Sequence, residues 1–204
     1  VKVLASGNEG VITLESDLSI NSVSEKTLTL DAKKGINING NIQSESGKLS
    51  VNLLAENGDV NINSSKTFIT KGGNLTVNAK NFTLDTSGDI GIETGGIAAS
   101  WGRPEVPGGN VTITATGDIK IGASIDTTSV VGSGDKTTAG GDITLIGNSV
   151  DISGADNNVV ALNAGDGNII LDSKSHLGIG SLLARDITLI AQEAVYNSEA
   201  IVPS

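Results

Sequence analysis

Five residues in two short stretches have the types that build contact surfaces. Trp101, Arg103 and Glu105 fall within WGRPEVP at residues 101–107, and Asp135 and Lys136 within GSGDK at 132–136. The first stretch holds the only tryptophan of the chain, one of its two arginines and two of its three prolines. Tryptophan and arginine anchor binding surfaces more often than other residue types. An aromatic face packs on the apolar side of a sugar ring while neighbouring polar groups bond its hydroxyls. These five residues form the candidate ligand-binding set, and a glycan or a protein loop is the ligand class they suit. The plainer alternative is that Trp101 folds back and covers the body of the protein.

Catalysis has less to work with. Cysteine is absent, which removes thiolate nucleophiles, thiolate metal sites and disulfides. The single histidine, His176, stands just before Leu177–Ile179 at an expected turn, where it is solvated. One histidine leaves a zinc site or a conventional triad almost without parts. Polysaccharide cleavage needs clustered carboxylates with a base or cation beside them. Glu15, Asp31, Asp85, Asp151 and Asp172 are expected to point outward, but not to stack in neighbouring repeats. GSGDK at 132–136 and GDGN at 165–168 resemble glycine–aspartate calcium loops, yet the nonapeptide series does not recur, so they read as turns. The expectation is no enzyme, no cofactor and no metal.

The elements that must position these residues are short and repetitive. An apolar–small polar–apolar triplet returns as Ile12-Thr13-Leu14, Leu28-Thr29-Leu30, Leu49-Ser50-Val51, Leu75-Thr76-Val77, Val111-Thr112-Ile113, Ile143-Thr144-Leu145, Ile169-Ile170-Leu171 and Ile187-Thr188-Leu189. Period-two alternation is the strand signature. Glycine followed by asparagine or aspartate often precedes the triplet and tolerates tight-turn dihedrals. A second strand follows each first one (Leu18–Ile20, Ile36–Ile38, Val60–Ile62, Phe82–Leu84, Ile119–Ile121, Val150–Ile152, Leu177–Ile179). A third lies around Val23, Ile42, Phe68-Ile69, Ile90–Ile92, Ile125, Val160–Leu162 and Leu182.

Three strands per repeat, recurring in phase, predict a right-handed parallel β-helix, a solenoid of about eight coils, rather than a β-sandwich. Each strand then pairs with its equivalent one coil away, about 4.8 Å along the axis, and the rod is roughly 40 Å long. The expected interior column is Leu14, Leu30, Val51, Val77, Ile113, Leu145, Leu171 and Leu189. Thr13, Thr29, Ser50, Thr76, Thr112, Thr144 and Thr188 form the expected outward row, broken by Ile170. An ordered threonine array suggests ice binding, but the next outward column mixes charged and apolar residues, so the row reads as a structural ladder. The whole chain, 1–204, is expected to be one β-helical unit.

Third strand to next first strand is short from Ile42 to Leu49 and from Phe68 to Leu75, and long from Ile90 to Val111 and from Ile125 to Ile143. Inserts at about 93–109 and 126–141 therefore leave the same corner of adjacent coils and are expected to project side by side. Trp101, Arg103 and Glu105 belong to the first insert, Asp135 and Lys136 to the second.

Composition agrees with a thin aliphatic β core. The chain is 37% hydrophobic and 18% charged, with only four aromatic residues, Phe68, Phe82, Trp101 and Tyr196. A net charge of −10 disfavours nucleic acid and anionic membranes as partners. The chain contains no apolar run of about 18 residues, so no membrane insertion is expected. A start at Val1 and a complete lack of methionine predict that sequence precedes the chain.

The stretches LTLDAKKGININGNI at 28–42 and GNVTITATGDI at 109–119 resemble filamentous-haemagglutinin-type exoproteins, the large adhesins of bacterial two-partner secretion. The resemblance covers nearly the whole chain and rests on a structural repeat. It implies a right-handed parallel β-helix, a secreted or cell-surface location and adhesion to a host-cell or surface receptor, glycan or protein. It also implies export through an outer-membrane barrel that recognises an upstream domain. The Asn-Pro-Asn motifs of that domain are missing here: Pro104, Pro107 and Pro203 follow Arg103, Val106 and Val202. A carbohydrate-active enzyme on the same fold and a ligand-free spacer are the alternative functions.

Overall fold

Alternating side chains put every second residue of a strand on one face, so each apolar–polar–apolar triplet has an inner and an outer side. A computed structural model describes residues 1–7, 10–63, 67–85, 90–96, 106–129, 139–152 and 161–197. The protein is all-β, with parallel strands and no helix among the described residues.

The first fifteen strands each pair with the strand three elements further along the chain, and the later ones with the strand two further, which makes three stacks. The first contains β1 (Lys2–Ala5), β4 (Lys26–Ala32), β7 (Leu49–Ala55), β10 (Leu75–Ala79), β13 (Val111–Ala115) and β16 (Ile143–Gly147). The second contains β2 (Val11–Leu14), β5 (Gly35–Ile38), β8 (Asp59–Ile62), β11 (Phe82–Leu84), β14 (Asp118–Ile121), β17 (Ser149–Asp151), β19 (His176–Ile179) and β21 (Ala194–Asn197). The third contains β3 (Leu18–Ile20), β6 (Ile42–Ser44), β9 (Phe68–Ile69), β12 (Ile90–Glu93) and β15 (Ser124–Asp126). Two long strands, β18 (Ala161–Ser173) and β20 (Ser181–Ala191), run through the third stack and on into the first. Between its two pairing segments β18 contains Gly165, whose φ of 54° lies in the left-handed region that glycine enters without steric cost.

Inward side chains of the three stacks meet in one aliphatic core. Leu30, Leu53, Val77, Ile113, Leu145 and Leu171 are partners in register along the first stack, and all are buried. The rings of Phe68 and Phe82 are buried in this core. Each fully buried aliphatic of this kind contributes about 1.5–3 kcal/mol.

The register corrects several expectations. Ile12-Thr13-Leu14 belongs to the second stack, where it pairs with Ile36–Ile38, and the first strand of that repeat is β1. Leu18–Ile20 accordingly lies in the third stack, against Ile42–Ser44. Val23 is not in a strand and is 93% exposed. In β7 the pattern LSVNLLA alternates for seven residues. Pairing sets Val51 beside Leu28 and Leu75, so Asn52, not Ser50, continues the row of Thr29 and Thr76. A two-residue slip keeps every side chain on its own face, so alternation alone does not fix it. Leu14 is half-buried, and Leu189 is 40% exposed because β20 is paired on one side only, by β18.

Candidate functional site

The corner between the third and first stacks has a repeated chemical signature. Ser44, Thr70, Thr94 and Thr127 follow in-register residues of the third stack and are buried there. Each turns its hydroxyl onto the carbonyl of the glycine at the far side of the corner. Ser44 donates to Gly47, Thr70 to Gly73 at 2.6 Å, Thr94 to Gly109 at 2.6 Å and Thr127 to Gly141 at 2.7 Å. The bond is the same whether the corner is three residues long, as at Thr70, or fifteen, as at Thr94. Both long excursions are thus closed at their base like an ordinary corner. The sequence signal was a hydroxyl three residues before glycine, in Ser44–Gly47 and Thr70–Gly73, and the long corners hide it.

The bases of the two excursions touch. Ser129 Oγ donates to the Val106 carbonyl at 3.0 Å, and Ser129 N donates to the Ala139 carbonyl at 2.9 Å. A methyl group on Gly108 would stand 1.6 Å from the Thr127 carbonyl oxygen, so the returning limb of one loop lies flat on the departing limb of the other. Beneath them Asp126 is buried although its position in β15 faces outward. Its Oδ1 accepts from Thr128 N at 2.9 Å and Thr128 Oγ1 at 2.5 Å, which turns the chain out of the strand. Trp101, Arg103, Glu105, Asp135 and Lys136 lie outside the described residues, so the structure places none of the five.

A second regular feature runs along the adjacent edge. Asn110 N donates to Asn74 Oδ1 at 2.9 Å, Asp142 N to Asn110 Oδ1 at 2.9 Å and Asn168 N to Asp142 Oδ1 at 2.8 Å. Asn168 Oδ1 accepts from Arg185 Nη2 at 3.0 Å. The Gly-Asn and Gly-Asp pairs that read as turns are therefore also an amide ladder between repeats.

Two of the carboxylates that were candidates for chemistry have structural partners. Asp31 pairs with Lys2 Nζ at 2.9 Å, and Glu15 accepts from Asn39 Nδ2 at 3.0 Å. Asp151 is in register with Lys120. Asp118 accepts from Ser149 Oγ at 2.7 Å and Asn148 Nδ2 at 3.4 Å. The Ser149 hydroxyl is the main reason its carboxyl is held below the usual range; partial burial opposes this, and Asn148 and the charge of Lys120 assist.

His176 is exposed, with Ser175 Oγ 2.5 Å and Glu193 Oε2 3.7 Å from its Nδ1. Ser175 Oγ also bonds Glu193 Oε2 at 3.0 Å. Both neighbours face the same ring nitrogen, so the ring does not bridge hydroxyl and carboxylate as a nucleophile–base–acid relay requires. Among the described residues no three His, Cys, Asp or Glu side chains group as a metal site. Comparison of the chain with protein-family models, curated proteins and solved structures finds no match.

Proposed function

We propose that the chain is a segment of a secreted or surface-attached bacterial adhesin, a right-handed parallel β-helix whose inserts make the contacts. The observation that carries this reading is the pair of long excursions closed at one corner of adjacent repeats. Strand pairing continues on both sides of them, in β10–β13 and β13–β16, without a shift in register. A stiff stack gives reach, and loops clipped to it are free to vary without disturbing the core. The resemblance of residues 28–42 and 109–119 to filamentous-haemagglutinin-type exoproteins supports the same reading, with an upstream domain engaging the secretion barrel. The receptor is a glycan or a protein at a host-cell or other surface.

The test is binding of the purified chain to host cells and to a glycan array, compared with Trp101→Ala and with a variant lacking both inserts. Loss of binding in both variants at unchanged thermal stability is the expected result. Equal binding by all three would assign contact elsewhere, and no binding by any would leave a spacer. A fall in stability of Trp101→Ala would mean that the ring covers the stack.

A further inference from the structure

Away from the inserts, the outward column Leu4, Asp31, Leu54 and Asn78 borders an open groove of about 440 Å³ across four successive repeats. That is within the size of small-molecule clefts, roughly 300–1,000 Å³. Lys33, Glu56 and Asn57, at the corner into the second stack, also line it. Leu4 is 59% exposed, and Asp31 keeps one third of its side chain accessible beside Lys2.

The chemistry selects the occupant. β4, β7 and β10 are paired on both sides, so over Asp31, Leu54 and Asn78 the backbone offers no free edge to which an extended peptide could add as a strand. Recognition falls to side chains. Asp31 and Glu56 accept, Lys33 donates, and the amides of Asn57 and Asn78 do both. An anion meets Asp31 and Glu56, and a cation meets Lys33, whereas a chain of hydroxyls matches all of them. Leu4 and Leu54 are two strand spacings apart, about 10 Å, and give apolar pads for the C–H faces of sugar rings. We propose that this groove binds a neutral oligosaccharide laid along the stack. The site uses no residue of the inserts, so it goes beyond the adhesive reading and stands or falls separately from it.

The experiment is an amide-shift titration of the isotope-labelled chain with maltotetraose, cellotetraose and chitotetraose. The expected result is saturable shifts at Leu4, Asp31, Leu54 and Asn78 with at least one of the three. Affinity should weaken roughly tenfold, about 1.4 kcal/mol, in Leu54→Ser and in Asn78→Ala. A variant without the inserts should bind as the parent does. No saturable shift with any of the three sugars overturns the proposal, as does binding left unchanged by both substitutions. Asn78→Ala removes only a surface amide, so it keeps the test decisive if Leu54→Ser unfolds.

Discussion

Thr94 and Gly109, fifteen residues apart, hold each other by two hydrogen bonds: Thr94 Oγ1 donates to the Gly109 carbonyl at 2.6 Å, and Gly109 N donates to the Thr94 carbonyl at 2.9 Å. Thr70 and Gly73 make the same pair of bonds across an ordinary corner. The clip closes the corner at the base of the long excursion just as it closes the short one. Thr94→Val keeps the shape and removes the donor, leaving the Gly109 carbonyl short of a partner in a buried corner. The expected cost is about 1–3 kcal/mol, read as a lowered midpoint in thermal unfolding. An unchanged midpoint would mean that the hydroxyl does not close the loop.

The inner and outer sides of β10 should respond very differently. Val77 is fully buried in the shared core, while its neighbour Thr76 faces out. Val77→Asp puts a carboxylate among aliphatic side chains with nothing to bond it and should prevent folding or abolish the cooperative transition. Thr76→Ala should stay within about 0.5 kcal/mol of the parent. Circular dichroism during chemical unfolding separates the two, and a tolerated Val77→Asp would sink the assignment of faces.

The amide ladder makes a finer distinction. Asn110→Ala removes the acceptor of the Asp142 amide and should cost about 0.5–1.5 kcal/mol. Asn110→Asp keeps an acceptor oxygen, as Asp142 does one repeat further on. It should recover most of the stability at neutral pH. If both variants lose the same amount in urea unfolding, the side-chain oxygen is not what the ladder uses.

Asp118 links stability to pH. Its folded-state carboxyl titrates below the unfolded one, chiefly through the Ser149 hydroxyl. The stabilisation is therefore complete above the usual aspartate value of about 3.9. It is lost as pH falls through the lower folded-state value. Ser149→Ala should lower stability at pH 7 and flatten its dependence on pH below about 4. An unaltered acid limb in the variant would remove Asp118 from the account of acid unfolding.

How much was legible in the sequence depends on which interaction decides each feature. Period-two alternation with glycine at corners is local, so the all-β class, the strands of β5, β8, β11 and β14, and the burial of Val77 and Ile113 could be read directly. Stack membership is a matter of pairing between repeats. Ile12-Thr13-Leu14 has the same pattern as Leu28-Thr29-Leu30, and only its partner Ile36–Ile38 assigns it to another stack. The position of Ser50 failed for the same reason, since an even slip preserves both faces. The corner hydroxyls escaped because Thr94 and Thr127 are far in sequence from the glycines they bond. Trp101 and its companions are read from residue type and from the two long corners that hold them, and they lie outside the described residues.

One register of parallel strands sets the core, the ladders and the corner from which both inserts leave. The chain has no cysteine, so paired substitutions can test it without background. Asn52 and Thr76 are direct partners in β7 and β10, with Cα atoms about 4.8 Å apart, within disulfide range of about 4.4–6.8 Å. Ser50 is displaced by two residues from the partner of Thr76, beyond that reach. Mild oxidation of Asn52→Cys/Thr76→Cys should close an intramolecular disulfide, seen by mass under non-reducing conditions. Ser50→Cys/Thr76→Cys should remain reduced. Cross-linking of the second pair and not the first would contradict the register, and with it the placement of the outward residues of the first stack.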